Sequence, residues 1–414
     1  MKNIKKILIS ILICSICFSF IGCSKGKKNK VEEKGGLKEI NICTNLEDRD
    51  NLYLINYIKN QYESINTKYR VNITNFTEFN EITAILNEKK VDLIFSDRNN
   101  MIQLADKGFV GELSLIIKEE KIKERYYEVL SNYGTHNNGI YGVGILPFSV
   151  EMLYNGNVAD KMKLSYPKDI NDIFSLFKQL NSKGMEVPVI LPEDIEINEV
   201  LFSTIFSNIA LENNIDEFYG SSDKYYKDSK DIQKVFQYIN YLQKNNILNN
   251  KTFKRVSSDN LKEIQGKEYP LIIAAYNGKG LNKFEEIYKY ELLDLSKNNF
   301  RNIIIVEPIV CVNTASVDKE EVRNFIKFIY TEDLQKKLSQ QGFYIGNMEL
   351  SKKVTEGTEK VFLEHIKYSN RRNMLINNSI PKEINKGIEK IITEILNGHY
   401  TGEEWKKVVK STYK

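Results

Sequence analysis

The feature that most constrains this chain is a run rich in glycine, β-branched and aromatic residues, Gly139 to Asn157 (GIYGVGILPFSVEMLYNGN), which carries no charge before Glu151. Strands are short, so about twenty such residues predict two strands with a turn between them, and Pro147 marks the bend. We interpret the run as a crossing between two α/β lobes. An ordinary pair of buried strands is the alternative for this run taken alone.

A second apolar run, Asn302 to Thr314 (NIIIVEPIVCVNT), has the composition expected of a return crossing. Two lobes joined by extended strands leave a cleft between them, and clefts between domains are common places for small molecules to bind. The length of 414 residues also suits two domains better than one.

Strand patterns alternate with helical patterns before the first crossing, the strands being Leu37–Thr44, Val71–Phe76 and Val91–Ser96. This alternation predicts a mostly parallel sheet covered by helices. Ligands of such sheets bind beyond the carboxyl ends of the strands. Asn45 and the pair Asp97-Arg98 lie at those ends and are candidate ligand contacts. Asp97 is also placed to cap the following helix, and the two roles are compatible.

The same alternation continues beyond the crossing. Val187–Leu191 and Tyr269–Tyr276 are expected to be buried strands of a second lobe, and the turn Asn277–Gly280 follows the latter. Helical patterns dominate after the return crossing, up to a final stretch near Gly402–Val409.

The first residues have the pattern of a secretory signal. Lys2, Lys5 and Lys6 give a positive start, and Ile7–Ile21 is almost wholly apolar, a combination that is removed during export. The apolar run is too short to span a membrane comfortably. We therefore exclude residues 1–22 from the fold and expect the protein outside the cell.

Phe20-Ile21-Gly22-Cys23 resembles a bacterial lipobox, which implies that Cys23 is lipidated and becomes the new N-terminus. Lipid chains hold a protein at a membrane because each buried CH₂ contributes about 0.8 kcal/mol. Ordinary signal cleavage beside an incidental cysteine is the alternative. Residues 23–36 are rich in charge and glycine and have few apolar side chains, so we expect a flexible tether.

Charge and composition exclude several classes of function. The chain carries a formal charge of +4, and loss of the three signal-peptide lysines leaves +1, which argues against a nucleic acid as partner. There is no GxSxG, HExxH, P-loop or CxxC motif, and the three histidines share no metal-ligand spacing, so no cofactor and no metal are expected. Cys43 and Cys311 lie in apolar strands and are expected to be buried thiols, with a disulfide as the alternative.

Four segments, in order, cover most of the mature chain and carry a family resemblance. They are Val91–Leu113 (strand, acidic-basic pair, helix), Gly139–Asn155 (first crossing), Val310–Gly346 (return strand, paired helices) and Glu383–Val409 (C-terminal helices). Together they resemble the extracellular solute-binding proteins of ABC importers, in particular the maltose-type carbohydrate-binding branch.

The resemblance implies an α/β, two-lobed periplasmic-binding-protein-like fold. Each lobe would be a mostly parallel sheet flanked by helices, with a cleft and a hinge between the lobes. The limits we expect are 37–147 with 310–350 for the first lobe and 148–309 with 351–414 for the second.

The resemblance also implies binding without turnover, so the chain is not expected to be an enzyme. Similar proteins close two lobes around a small solute, here expected to be a carbohydrate, and deliver it to an ABC permease in the membrane. The implied protein is a monomer on the extracellular face of the cell membrane, held there by its lipid, with no cofactor.

Candidate ligand contacts follow from the same match. Carboxylate and guanidinium groups form charge-assisted bonds to hydroxyl groups, and aromatic faces cover the apolar faces of sugars. Members of the family often carry a tryptophan where this chain has Tyr276 and Asn277. The full set of candidates is Asn45 or Glu47, Asp97, Arg98, Glu151, Tyr276 and Asn277.

Two other functions are compatible with an exported chain of this kind. A glycosidase needs two carboxylates placed about the scissile bond, and no spacing in the sequence singles out such a pair. A relative of the solute-binding proteins that senses a ligand or binds a partner protein would share every feature above. Permease genes beside the coding sequence would distinguish transport from that role.

Overall fold

The computed structural model describes residues 37–46, 49–77, 79–88, 90–210, 219, 223–227, 229–277, 286–296, 299–344 and 346–413. From Glu39 onward the chain forms one compact unit. The expected signal peptide and tether, Cys23 and Glu47 lie outside the described residues.

Strands and helices alternate through much of the chain, as the sequence patterns predicted. The strands are β1 Lys38–Thr44, β2 Tyr69–Asn75, β3 Leu93–Ser96, β4 Thr135–His136, β5 Gly139–Ile140, β6 Gly142–Gly144, β7 Pro147–Tyr154, β8 Val187–Ile190, β9 Phe253–Arg255, β10 Leu271–Tyr276, β11 Glu291–Leu292, β12 Ile304–Val306 and β13 Ile309–Val312. The α-helices are α1 Arg49–Ile65, α2 Phe79–Asn87, α3 Arg98–Asp106, α4 Ser114–Glu119, α5 Ile122–Arg125, α6 Glu128–Tyr133, α7 Gly156–Lys161, α8 Ile170–Ser182, α9 Ile197–Ile209, α10 Asp223–Lys227, α11 Lys230–Lys244, α12 Glu320–Ile329, α13 Glu332–Gln340, α14 Met348–Ser351, α15 Gly357–Lys367, α16 Lys382–Leu396 and α17 Glu404–Thr412.

The strands form two large sheets and a small hairpin of β4 and β5. The first sheet has the order β2-β1-β3-β13-β6; the second has the order β11-β7-β10-β8-β9, with β12 also paired to β7. β1 and β3 are parallel, as are β8, β9 and β10. β13 is antiparallel to its neighbours, and so is β7. The expected α/β architecture is confirmed. The sheets are mixed, not mostly parallel, because β7 and β13, the strands that follow the two crossings, are antiparallel to their neighbours.

Both predicted crossings run between the two sheets. β6 belongs to the first sheet and the next strand, β7, to the second, and the chain returns between β12 and β13 at Glu307-Pro308, a cis peptide bond. The crossings are adjacent, since the Ile145 N–H donates to the Pro308 carbonyl at 2.9 Å. β7 begins at Pro147 and β13 at Ile309.

The two faces of the second sheet belong to different hydrophobic cores. Leu153, Ile272 and Ala274 share a core with the first sheet and its helices. Side chains on the opposite face pack against helices α8, α9, α11, α16 and α17. The single tryptophan of the sequence, Trp405 on α17, belongs to this second core. Side chains alternate between the two faces of a sheet along each strand, so adjacent residues of one strand lie in different cores.

Cys43 and Cys311 are buried free thiols, which confirms the expectation and excludes the disulfide. Both face Ile94 of β3, one from β1 and the other from β13. Strands lie about 4.8 Å apart, so two spacings exceed the separation of about 7 Å beyond which a disulfide cannot form. Burial raises the pKa of both thiols.

Candidate functional site

Three polar side chains meet where β1 and β3 end. The strands are parallel, with Thr44 facing Phe95, so their carboxyl ends bring Asn45 and Ser96 side by side. Ser96 Oγ donates to Asn45 Oδ1 at 2.7 Å, and Asn45 Nδ2 donates to Asp97 Oδ2 at 2.7 Å. The structure therefore brings together two of the predicted site residues at the sheet edge where ligands of such folds bind.

Asp97 also caps α3, as the sequence predicted. Its Oδ1 accepts the Asn100 N–H at 2.9 Å, and its Oδ2 accepts the Asn100 side-chain amide at 2.7 Å. These bonds hold the carboxylate at the helix N-terminus, where a negative charge is favoured. The residue is still only partly buried, so capping does not remove it from solvent.

Arg98 is buried, with 1% of its surface exposed. Its Nε donates to the Asn378 carbonyl at 2.7 Å, and its Nη1 donates to the carbonyls of Tyr133 at 2.6 Å and Thr135 at 2.7 Å. The guanidinium group thus joins α3 to the end of α6 and to the turn before α16. These contacts indicate a structural role in this conformation instead of the predicted direct contact with a ligand.

Glu151 is fully buried on the face of β7 that looks toward α15. Its carboxylate lies 2.9 Å from His365 Nδ1 and accepts the Asn302 side-chain amide at 2.8 Å, and Ser149 Oγ also donates to it. The predicted ligand contact is therefore surrounded by protein groups. This environment was not predictable from local pattern, since His365 belongs to no motif and is 214 residues away from Glu151.

The buried contact with Glu151 shifts the pKa of His365. Burial alone would lower the pKa of His365, but the Glu151 carboxylate outweighs it, and Asp294, whose Oδ1 is 3.7 Å from Nε2, adds to the effect. The pKa of His365 is consequently above its usual value. The contact between Glu151 and His365 holds α15 against β7, and removal of either side chain would leave a buried polar group without its partner.

Aromatic side chains gather at the end of β10. The Tyr276 ring packs edge-on against Phe362 with 5.2 Å between centroids, and Tyr344 lies 5.9 Å from the same ring. The Asn277 carbonyl accepts the Tyr344 N–H at 3.4 Å, which joins β10 to the loop after α13. Burial raises the pKa of Tyr344 to about 12, so its hydroxyl stays neutral.

Tyr219, which the sequence did not single out, reaches the first turn of α3. Its hydroxyl donates to Asn99 Oδ1, and its ring packs edge-on against His136 at 6.3 Å. Asn99 in turn donates to the Asn377 carbonyl at 3.0 Å. Burial raises the pKa of Tyr219, and the Asp97 charge adds to the shift, which places a neutral hydroxyl in the electrostatic field of that carboxylate.

The ends of β1 and β3 carry hydrogen-bonding side chains, and the end of β10 carries aromatic rings; both kinds of group are found in sites that hold polar solutes. Within the described ranges, no three His, Cys, Asp or Glu side chains are grouped so that they could hold a metal ion. Over the same residues, no helix is long and apolar enough to cross a membrane.

The sequence profile of one family, described as bacterial extracellular solute-binding protein, matches residues 49–336. The chain belongs to this family. Membership confirms the expected recognition of a solute outside the cell and the expectation that the chain is not an enzyme. A comparison with curated protein sequences finds no significant match.

Solved structures of solute-binding proteins share the fold. An ABC transporter solute-binding protein from Thermotoga lettingae, bound with alpha-D-tagatose, is 15% identical with a TM-score of 0.66, over 91% of this chain and 99% of that chain. The cyclic alpha-maltosyl-1,6-maltose binding protein of Arthrobacter globiformis is 12% identical with a TM-score of 0.67, over 91% and 98%. The sugar-binding protein MalE of Xanthomonas citri is 10% identical with a TM-score of 0.69, over 91% and 96%. These similarities confirm the two-lobed fold.

For a solute-binding protein of this fold, the predicted site residues separate into two groups. Asn45 and Asp97 are hydrogen-bonded to each other at the edge of the first sheet and are partly exposed. Arg98 and Glu151 are enclosed by protein groups on different elements. Tyr276 closes the end of β10 and is largely buried. Of the predicted site residues that the structure describes, only Asn45 and Asp97 are partly exposed.

Proposed function

We propose that this solute-binding protein captures a carbohydrate between its lobes and delivers it to an ABC permease. The observation that carries the proposal is the hydrogen-bonded group of Ser96, Asn45 and Asp97 at the carboxyl ends of β1 and β3. A carboxylate and an amide together offer acceptors and a donor to neighbouring hydroxyl groups of a sugar. The descriptions of the three solved structures of the same fold, two of which name a sugar and one of which says sugar-binding, support this class of ligand.

A thermal-shift screen tests the ligand class. The chain from Lys38 onward would be heated with mono- and oligosaccharides, then with amino acids, peptides and polyamines. A ligand that binds only the folded protein adds about 2.7 kcal/mol of stability at a hundredfold excess over its Kd. We expect a rise in Tm with one class of sugar. A rise in Tm with amino acids, peptides or polyamines but with no sugar would contradict binding of a carbohydrate and would still agree with binding of a solute.

We also propose that lipid on Cys23 anchors the protein to the outer face of the membrane. The support is the lipobox-like Phe20–Cys23 after an apolar run, with the charged residues 24–36 behind it. Cys23→Ser should release the protein into the medium, and Cys14→Ser, within the signal, should leave it with the membrane. If both variants stayed with the membrane, that result would contradict a lipid anchor on Cys23.

The lobe limits and the oligomeric state are parts of the same proposal. We assign 37–147 with 310–350 to the first lobe and 148–309 with 351–414 to the second. We propose a monomer, since each chain carries a complete pair of lobes. Light scattering that gave twice the mass of one chain would contradict the monomer.

A further inference from the structure

The second sheet has a cavity on the face opposite to Glu151. Its volume is about 290 Å³, and it lies between the sheet and helices α8 and α9. Val150 and Met152 of β7 and Ile273 of β10 form its floor. Because neighbouring side chains of a strand point to opposite faces, the sheet lies between the cavity and Glu151; Asn302, which lines the cavity, also donates a hydrogen bond to Glu151.

The walls of the cavity are apolar and reach the surface. Phe174 and Phe177 of α8 and Ile205 of α9 line its interior. Ile209, at the end of α9, is 38% exposed, and Leu201 is partly exposed. An apolar cavity of ~150 Å³ stays dry and takes up benzene, and this cavity of about 290 Å³ has room for an unbranched chain of medium length.

One arginine lines the cavity, and a second lies near it, beside the end of α9. Arg301 lines it and donates through Nη1 to the Ser207 carbonyl at 3.3 Å, and Arg372 donates to the Ala210 carbonyl just beyond α9. Burial lowers the pKa of Arg301, and the nearby charge of Arg372 lowers it further. Among the described residues, neither guanidinium group forms an ion pair with a carboxylate. The two positive charges therefore repel each other, and no carboxylate of the described residues neutralises either of them through an ion pair.

Asp169 is the carboxylate that lines the same cavity. It is the N-cap of α8 and accepts the N–H groups of Asn171 at 2.8 Å and Asp172 at 3.0 Å. Its negative charge therefore lies at the N-terminus of α8, where it stabilises that end of the helix.

We propose that this cavity binds an amphiphilic anion, a medium-chain monocarboxylate, whose chain lies between the sheet and helices α8 and α9 and whose carboxylate meets Arg301 and Arg372. Burial of each CH₂ favours binding. A carboxylate between two guanidinium groups forms charge-assisted bonds and removes their mutual repulsion. The site is independent of the carbohydrate cleft, so the two ligands would bind without competing.

Calorimetric titration of the chain from Lys38 onward with octanoate, 1-octanol and acetate tests the chain-binding part. Octanoate should bind saturably at one site, and acetate should not bind, because it has no chain to bury. Thr204 lines the cavity from α9, so Thr204→Phe should fill it and abolish binding of octanoate and 1-octanol. Thr204→Val keeps the size of the side chain and should bind octanoate as the wild type does.

The double variant Arg301→Gln/Arg372→Gln tests the head group. It should weaken octanoate by about tenfold or more, as loss of a bond to a charged group does, and leave 1-octanol unchanged. Arg323→Gln, which breaks an ion pair with Glu119 on the first lobe, is the control and should change neither. Absence of saturable octanoate binding, or equal binding by folded Thr204→Phe, would overturn the proposal. Equal octanoate affinity in the double variant would overturn the assignment of an anion.

Discussion

Arg98 Nε donates a hydrogen bond to the Asn378 carbonyl at 2.7 Å, which joins the first turn of α3 to the turn before α16. α3 packs against β13 of the first sheet, and the turn at Asn378 packs against α9 and α16 beside the second. The bond therefore links the lobes at a place remote in sequence from both crossings. Arg98 directly follows Asp97, so two neighbouring residues contribute one side chain to the proposed ligand site and one to this contact between elements of the two sheets.

Replacing Arg98 by methionine should destabilise the protein strongly. The change leaves the carbonyls of Tyr133, Thr135 and Asn378 without their donor, and the loss of bonds to a charged group should cost roughly 3 kcal/mol or more. Urea unfolding would measure the free energy of unfolding. Arg70→Met, at an exposed position of β2, is the control and should stay within about 0.5 kcal/mol. Equal midpoints for the two variants would contradict the structural role.

The Glu151–His365 pair should make stability depend on pH. The pKa of His365 is raised in the folded protein, so its contribution is complete below the unfolded pKa of about 6.5 and is lost as pH rises through the folded value. The stability difference between wild type and His365→Gln should therefore shrink as the pH rises above about 6.5.

Urea unfolding at a series of pH values measures that difference. Besides Glu151, the groups that face His365 are Ser149 through the shared carboxylate, Asn302 and Asp294. The exposed His399→Gln is the control and should follow the wild type at every pH. A difference that grew with pH would show that the imidazole is neutral in the folded state.

Gly144 should be intolerant of a side chain because the two crossings pack closely there. A Cβ at this position would overlap Val306 of β12 and lie 3.2 Å from the Leu130 carbonyl. Gly144→Ala should cost about 1–3 kcal/mol, as overpacking of a dense core does. Gly156→Ala, at a position with no atom within 4 Å of the new Cβ, should be nearly neutral. Equal Tm values would contradict the close packing of the crossings.

Cys43 and Cys311 should be inert in the native protein. Both are fully buried, and burial raises the pKa of both thiols, which suppresses the reactive thiolate. A colorimetric thiol reagent should label neither cysteine in the native chain from Lys38 onward and both in urea. Ser64→Cys, near the end of α1 and exposed, should react at once and shows that the reagent is active. Rapid native labelling without this substitution would contradict the burial.

The sequence predicted the parts of the fold that local pattern determines. The glycine-rich run and the run around Pro308 identified both crossings, and alternation identified the layers of each lobe. Strand direction was harder to predict, because whether a crossing strand is parallel to its new neighbours depends on where it enters the sheet.

The candidate site was predictable where its residues follow strands directly. Asn45 and Asp97 meet because β1 and β3 are parallel neighbours; the strand pattern predicted the parallel sheet and the strand ends, but not which strands are adjacent. The surroundings of Glu151 depend on His365 and Asn302, whose proximity results from tertiary packing and leaves no local signal. The burial of Arg98 likewise depends on carbonyl groups that come together only in the folded chain.

The most direct test of carbohydrate binding at the edge of the first sheet is a calorimetric titration of wild type and Asp97→Asn. The sugar that gives the largest rise in Tm would be the ligand. Asparagine keeps the helix cap and removes the charge, so the fold should be retained. Glu112→Gln, at an exposed position of the first lobe, is the control. We expect about tenfold weaker binding by Asp97→Asn and unchanged binding by Glu112→Gln. Equal affinity in Asp97→Asn and wild type would contradict this site.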